Sequence, residues 1–354
     1  MPPSPAEPLR FKFQFLNEQG QPTGIFRKKG SWDGETLTLD DLVLPAPALL
    51  DVQAREKLLF LAIPEATGPS GDEQDDEFDE PAADGGIQLA TLGLTVSGGA
   101  TAKSLKAAVD IARSGVWAEG HRKELEKEGR GAAFRTARCP HCDATVVLSD
   151  MPKSPQVFCS FCDTLWNERT AADPPGWEKA HKVCDDCGYY AAPRKFTVFY
   201  FYFLLVVYGW RTRTTWRCPA CMRGDAWKML VLNTPFVLGV PVALTQLART
   251  YGSGLTGGPY AGLDAGNKAA RAGKFDAAIA KYRAILERLG AGAGVKYNLG
   301  MALAGEGDLN RAADAFLASL SDCSNYAPAY QRVMPLLEET GRTEELEELK
   351  RQWA

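Results

Sequence analysis

Histidine is almost absent from this chain: there are three in 354 residues, His121, His141 and His181. So few imidazoles leave little for acid–base chemistry near neutral pH and exclude a histidine-rich metal site. There is no phosphate-binding loop and no nucleophile elbow, so a hydrolase or transferase is not expected, nor an enzyme of any other class. A formal charge of −4 provides no global basic field, which argues against nucleic acid as a partner. Residues 1–8 show no basic region followed by an apolar run; a secretory signal is not expected, and the protein is placed in the cytoplasm or facing it. The length suits two to four domains, and a hydrophobic content of 45% supports real cores.

Cysteine supplies what histidine does not. Eight of the nine form four Cys-x-x-Cys pairs within 83 residues: Cys139/Cys142, Cys159/Cys162, Cys184/Cys187 and Cys218/Cys221. A thiolate pair two residues apart closes on one tetrahedral ion, and two pairs complete a four-sulfur site. Four pairs therefore imply two ions, with zinc expected because four soft thiolates make a closed site. The absence of a signal favours metal over disulfide pairing, which is the alternative. The lone Cys323 is read as a free thiol.

In the first site sixteen residues separate the pairs, with strands expected at 145–149 and 156–158. Two short strands with a cysteine knuckle at each end resemble a zinc ribbon, assigned to residues 136–168. So small a unit needs metal binding to fold. His141 inside the first knuckle and His181 before Cys184 are left outside the ligand shells. In the second site, assigned to residues 180–226, thirty residues separate the pairs, and fifteen of them, 196–210, carry no charge. A single membrane crossing there would put the two cysteine pairs on opposite sides of the bilayer, so the run must return. Its aromatic and β-branched residues suit a long β-hairpin arm with a bend near 204–209. Such a hairpin needs cover from the first domain, from another copy in a homo-oligomer, or from a membrane.

Residues 1–9 are expected to be disordered, and 10–130 to form a β-rich domain. Strands are expected at 10–16, 24–30, 35–39, 57–63 and 87–96, followed by a helix over 101–128 with Leu105, Val109, Ala112 and Val116 on one side. Seven acids among residues 72–80 mark a disordered loop, 70–85. Strands closed by one C-terminal helix resemble a pleckstrin-homology-like domain, which implies a lipid- or peptide-binding or purely scaffolding module.

Residues 229–247 are nineteen in a row without charge, and 229–248 form a candidate membrane segment. Pro235, Gly239 and Pro241 argue against a straight helix in water. Arg211, Arg213, Arg217, Arg223 and Lys228 precede it, and Arg249 follows. A spanning helix with the cysteine sites on the cytoplasmic side, a re-entrant segment and a buried wedge all remain open. Residues 249–258 read as a glycine-rich linker.

Residues 259–354 repeat with a period of 34: Gly273, Gly307 and Gly341, Gly266 and Gly300, Ala278 and Ala312, Tyr282 and Phe316. Each glycine ends one amphipathic helix, and the small and aromatic positions pack paired helices. This pattern resembles the tetratricopeptide repeat, with Met334 and Leu346 marking a degenerate third copy. The resemblance implies a curved stack whose groove binds a protein or peptide. Groove candidates are Asn267, Arg271, Asn298 and Arg332. Asn267, Asn298 and Arg332 match three of five positions that grip a terminal carboxylate in some such domains, while Leu263 and Pro328 stand where its lysines would be.

The fold class expected is therefore multidomain α+β: an N-terminal β-rich domain closed by a helix, two zinc ribbons and a C-terminal α-helical tetratricopeptide solenoid. The function expected is a zinc-stabilised, non-catalytic adaptor that binds a protein partner, at a membrane surface or in an assembly. Nucleic-acid binding through the ribbons and iron or dithiol redox chemistry are the alternatives.

Overall fold

A computed structural model describes residues 8–64, 89–204, 207–234, 240–251 and 258–353. The acidic loop, most of the N-terminal tail, the arm's tip, the stretch from Pro235 to Gly239 and residues 252–257 of the linker lie outside the described residues. The chain forms two compact units, Met1–Val147 and Leu148–Ala354.

The first unit is one antiparallel sheet with a long helix. Its strands are β1 (Leu9–Phe15), β2 (Lys28–Trp32), β3 (Thr36–Leu39), β4 (Leu42–Pro45), β5 (Asp51–Arg55), β6 (Leu58–Pro64) and β7 (Leu89–Val96), in the order β4-β3-β2-β1-β7-β6-β5. Alternation sets the inner face: Phe11 and Phe13, Leu37 and Leu39, Leu59 and Leu61, Leu94 and Val96 are all buried. Helix α1 (Gly99–Lys127) covers this core with Ala102, Leu105 and Val109.

Three expectations change here. Strands β4 and β5 are additional. Each is entered or left through a two-residue turn, 40–41 and 56–57, with Asp40 and Glu56 at positive φ (59° and 56°). Hairpin turns of this kind usually announce themselves with glycine or asparagine, and these do not. The strand expected at 24–30 forms at Lys28–Trp32, leaving Ile25 and Phe26 exposed and Trp32 buried. Val116 is exposed, because beyond Val109 the buried side of α1 carries Asp110, Arg113 and Ser114. Arg113 lies 3.3 Å from Asp110 and donates to the Leu49 carbonyl. Two short paired strands, β8 (Thr136–Arg138) and β9 (Thr145–Val147), end the unit, and the Thr145 amide donates to the Ser114 hydroxyl.

The second unit begins with the antiparallel pair β10 (Gln156–Cys159) and β11 (Thr164–Asn167), then the one-turn helix α2 (Gly176–Ala180) and the pair β12 (Lys182–Val183) and β13 (Tyr190–Ala191). Each small strand pairs across its own cysteine knuckle; the strands expected between the first two pairs do not pair with each other. The arm is a two-stranded hairpin, β14 (Arg194–Leu204) and β15 (Val207–Arg217), in register from Arg194↔Arg217 to Leu204↔Val207. Helices α3 (Pro219–Asn233) and α4 (Val240–Tyr251) pack on each other and on β14. Of the uncharged run 229–247, residues 229–233 thus lie in α3 and 240–247 in α4, which continues into the expected linker. Among the described residues no helix is long and apolar enough to cross a membrane.

Six helices follow, each packed on the next: α5 (Leu263–Arg271), α6 (Phe275–Leu286), α7 (Ala293–Glu306), α8 (Leu309–Asp322), α9 (Ala327–Glu339) and α10 (Thr343–Trp353). The 34-residue spacing has a steric cause. A Cβ at Gly266 would stand 2.6 Å from the Tyr282 ring, and one at Gly300 would stand 2.8 Å from Phe316. Tyr282 and Phe316 are themselves fully buried, so neither ring has room to yield. Gly300→Ala is expected to cost about 1–3 kcal/mol through overpacking. A urea titration would read this as a lower midpoint at unchanged slope.

Candidate metal centres and the asparagine clamps

The structure gathers the eight paired cysteines into two groups, Cys139/Cys142/Cys159/Cys162 and Cys184/Cys187/Cys218/Cys221. Within each, the sulfurs all lie within 4.8 Å of one another. None of the eight is in a disulfide. In the second group Cys184 Sγ lies 3.8 Å from Cys221 Sγ, and Cys187 Sγ 3.7 Å from Cys218 Sγ. A disulfide would need about 2.05 Å. Four sulfurs about 2.3 Å from a central ion stand about 3.8 Å apart at the corners of a tetrahedron. The residues present therefore fit a four-thiolate metal ion in both shape and chemistry, and zinc and iron share that donor set. Hydrogen bonds from Cys187, Cys218 and Cys221 hold the pKa of Cys184 down, while its bond to Cys184 holds that of Cys221 up.

Local backbone chemistry aims these sulfurs. In three pairs the residue after the second cysteine returns its amide to the first cysteine's carbonyl: Asp143 to Cys139 (2.9 Å), Asp163 to Cys159 (2.8 Å) and Gly188 to Cys184 (2.9 Å). Those three residues take positive φ, 63°, 60° and 72°. Glycine does so without strain, and aspartate is among the few side chains that tolerate it. The fourth pair is different. Cys218 is the N-cap of α3 and Cys221 lies in its first turn, so the returning amide is that of Met222 inside a helix. The Cys218 amide also lies 3.3 Å from Cys184 Sγ, as a donor to it.

The residues expected to line a partner groove are where the structure departs most from expectation. Asn267 and Asn298 are fully buried. The Tyr190 amide donates to Asn298 Oδ1 (2.6 Å), and Asn298 Nδ2 donates back to the Tyr190 carbonyl (2.7 Å). Asn267 Nδ2 donates to the same carbonyl at 3.0 Å, and its Oδ1 accepts from Asn298 Nδ2 and the Tyr282 hydroxyl. The Tyr297 hydroxyl donates to the Gly188 carbonyl at 2.9 Å. Arg271 donates to the Ala220 carbonyl, and Arg332 stays exposed beside Gly188. The inner helices thus hold the chain's own strand β13, and an incoming carboxylate cannot reach these asparagines.

A second clamp has the same form. The Phe158 amide donates to Asn325 Oδ1 (3.0 Å), and Asn325 Nδ2 donates to the Phe158 carbonyl (2.8 Å). An asparagine amide offers the donor and acceptor of a peptide group, so each clamp works like one residue of an added strand. Both clamped residues adjoin cysteine knuckles. Asn325 and Tyr190 carried no periodic signal in sequence; the residues after the cysteine pairs, two aspartates and a glycine, did carry a turn signal. His181 is buried with Nδ1 2.6 Å from the Trp177 carbonyl, and burial lowers its pKa. Neither cysteine group includes a histidine. Cys323 is buried in the helical core, and burial pushes its thiol pKa up.

Neither a scan against protein-family models nor a search of curated proteins finds a match to this chain.

Replacing Asn298 by Ala takes away the acceptor of the buried Tyr190 amide and leaves its carbonyl with Asn267. A loss of about 3 kcal/mol is expected, read as a lower midpoint in denaturant. Asn298→Asp should not rescue it, since a carboxylate sets an acceptor against the Tyr190 carbonyl.

Proposed function

We propose that this protein is a non-catalytic scaffold stapled by two zinc ions in a reducing, cytoplasm-facing compartment. In this reading the cysteine groups are zinc-ribbon-like modules and α5–α10 are a tetratricopeptide stack. The seven-stranded sheet with α1 is a pleckstrin-homology-like domain, a likeness that its strand order and closing helix support. The observation that carries the proposal is the clamp at Tyr190. The concave face of such a stack commonly grips an extended peptide, and here buried asparagines grip the backbone of a cysteine module in that manner. Groove and metal module then form one rigid body, and a protein partner is left the surfaces around it, with Arg332 exposed at the margin.

The chemistry is consistent with a scaffold. Four thiolates leave no open coordination position for substrate. The buried His181 is spent on a backbone carbonyl, and Cys323 is sealed from solvent. A redox reading rests on one contact, the amide of Cys218 directed at Cys184 Sγ, because N–H···S bonds tune iron potentials.

Metal analysis of the purified chain separates these readings. The scaffold predicts a colourless protein with two zinc ions per chain. Stripping them should remove roughly 10 kcal/mol or more per site and abolish the near-ultraviolet circular dichroism of the second unit's buried aromatics. A coloured, iron-loaded protein would move the assignment to redox chemistry, and paired disulfides without metal would end both.

A further inference from the structure

We infer that the exposed face shared by α3 and α4 docks on an anionic lipid bilayer. On α3, Trp227, Val231 and Leu232 lie on one side of the helix and are about half exposed or more (49%, 65% and 58%). On α4, Leu244 and Tyr251 are exposed. The helices are tied at this face: Trp227 Nε1 donates to the Tyr251 hydroxyl (3.1 Å), and the Arg223 guanidinium lies 5.2 Å from the Tyr251 ring centre while donating to the Thr250 carbonyl. The opposite sides are already committed. Met222 and Ala226 of α3 pack on Phe196 of the arm, with Leu247 of α4 against them. Because α3 starts at Cys218 and Cys221, the metal centre fixes the angle at which its outer face is presented.

Charge identifies the occupant. Residues 194–251 contain eight lysines and arginines and one acid, Asp225, in a chain whose formal charge is −4. That acid is paired with Arg217. Lys228 stands beside Trp227 on the exposed side, and Arg249 is exposed on α4. Half-exposed tryptophan and tyrosine suit the headgroup level, aliphatic side chains the acyl boundary, and cations the lipid phosphates. The fifteen residues of α3 reach about 22 Å, short of a hydrocarbon core of about 30 Å, so the helix lies in the interface. Val231, Leu232 and Leu244 have nothing to offer a base or a phosphodiester. A second copy of the same face would bring cations against cations.

This deepens the scaffold reading by giving it a seat. Its failure would leave the metal content and metal-dependent folding untouched, so the two can fail separately. The test is co-sedimentation of the full, metal-loaded chain with vesicles of phosphatidylcholine alone and of phosphatidylcholine with phosphatidylserine. The wild type should bind the anionic vesicles at least about tenfold more tightly, and salt should weaken that binding. V231S/L232S, at exposed positions, should keep its metal and melting point yet bind at least about tenfold more weakly. Lys228→Glu should lose roughly fivefold or more. The proposal is overturned if the wild type ignores anionic vesicles or if the variants bind as the wild type does. It is also overturned if the substitutions instead abolish oligonucleotide binding or self-association in a chain that never binds vesicles.

Discussion

A buried peptide group must find a donor and an acceptor, and the architecture of the second unit follows from how this chain meets that demand at Tyr190. Strand β13 is two residues long and has one neighbour strand, so its other edge carries an amide and a carbonyl into the protein interior. Left alone, each would cost about as much as a core substitution. Asn298 and Asn267 supply the missing edge from helices distant in sequence, and Tyr282 and Tyr297 complete the network. Asn325 repeats the arrangement at Phe158. Because hydrogen bonds are directional, the clamps set register and orientation, which apolar contact between helices and strands would leave loose.

The cysteine centres depend on the same economy of small parts. Strands of two to four residues bury too little apolar surface to stand alone. The knuckles place four sulfurs at tetrahedral spacing, and the clamps hold the strands beside those knuckles. Cysteine and asparagine therefore act on the same short segments: the knuckle fixes the turn, and the amide fixes the strand beside it. The fourth pair extends this logic outward. Since it opens α3, the gathering of the four sulfurs also ties the direction of the helix bearing Trp227 and Val231 to that cysteine group.

Much of this was legible in the residues. Pair spacing foretold which cysteines would share a site, because Cys-x-x-Cys is a local constraint that survives any fold. Period-2 alternation located most sheet strands, and the recurring glycine and aromatic positions marked where helices cross closely. Other elements were silent. Strands β4 and β5 turn at Asp40 and Glu56, whose positive φ is imposed by the pairing around them. Residues 229–247 read as one apolar span, yet 229–233 belong to α3 and 240–247 to α4, whose inner faces pack on each other and on the arm.

The amino-acid order by itself determined the local chemistry: which thiols can close on an ion, which strands alternate, where helices of the repeat begin and end, and that charge is concentrated in residues 194–251. Only the tertiary structure decided what the inner helices hold. Asn267 and Asn298 have the same composition and spacing whether they face solvent, a partner or the chain itself. Their role depends on which backbone arrives beside them, and Tyr190 arrives from 77 and 108 residues away. Contacts across such separations leave no periodic trace, because they are set by the meeting of surfaces and not by the geometry of any one helix or strand.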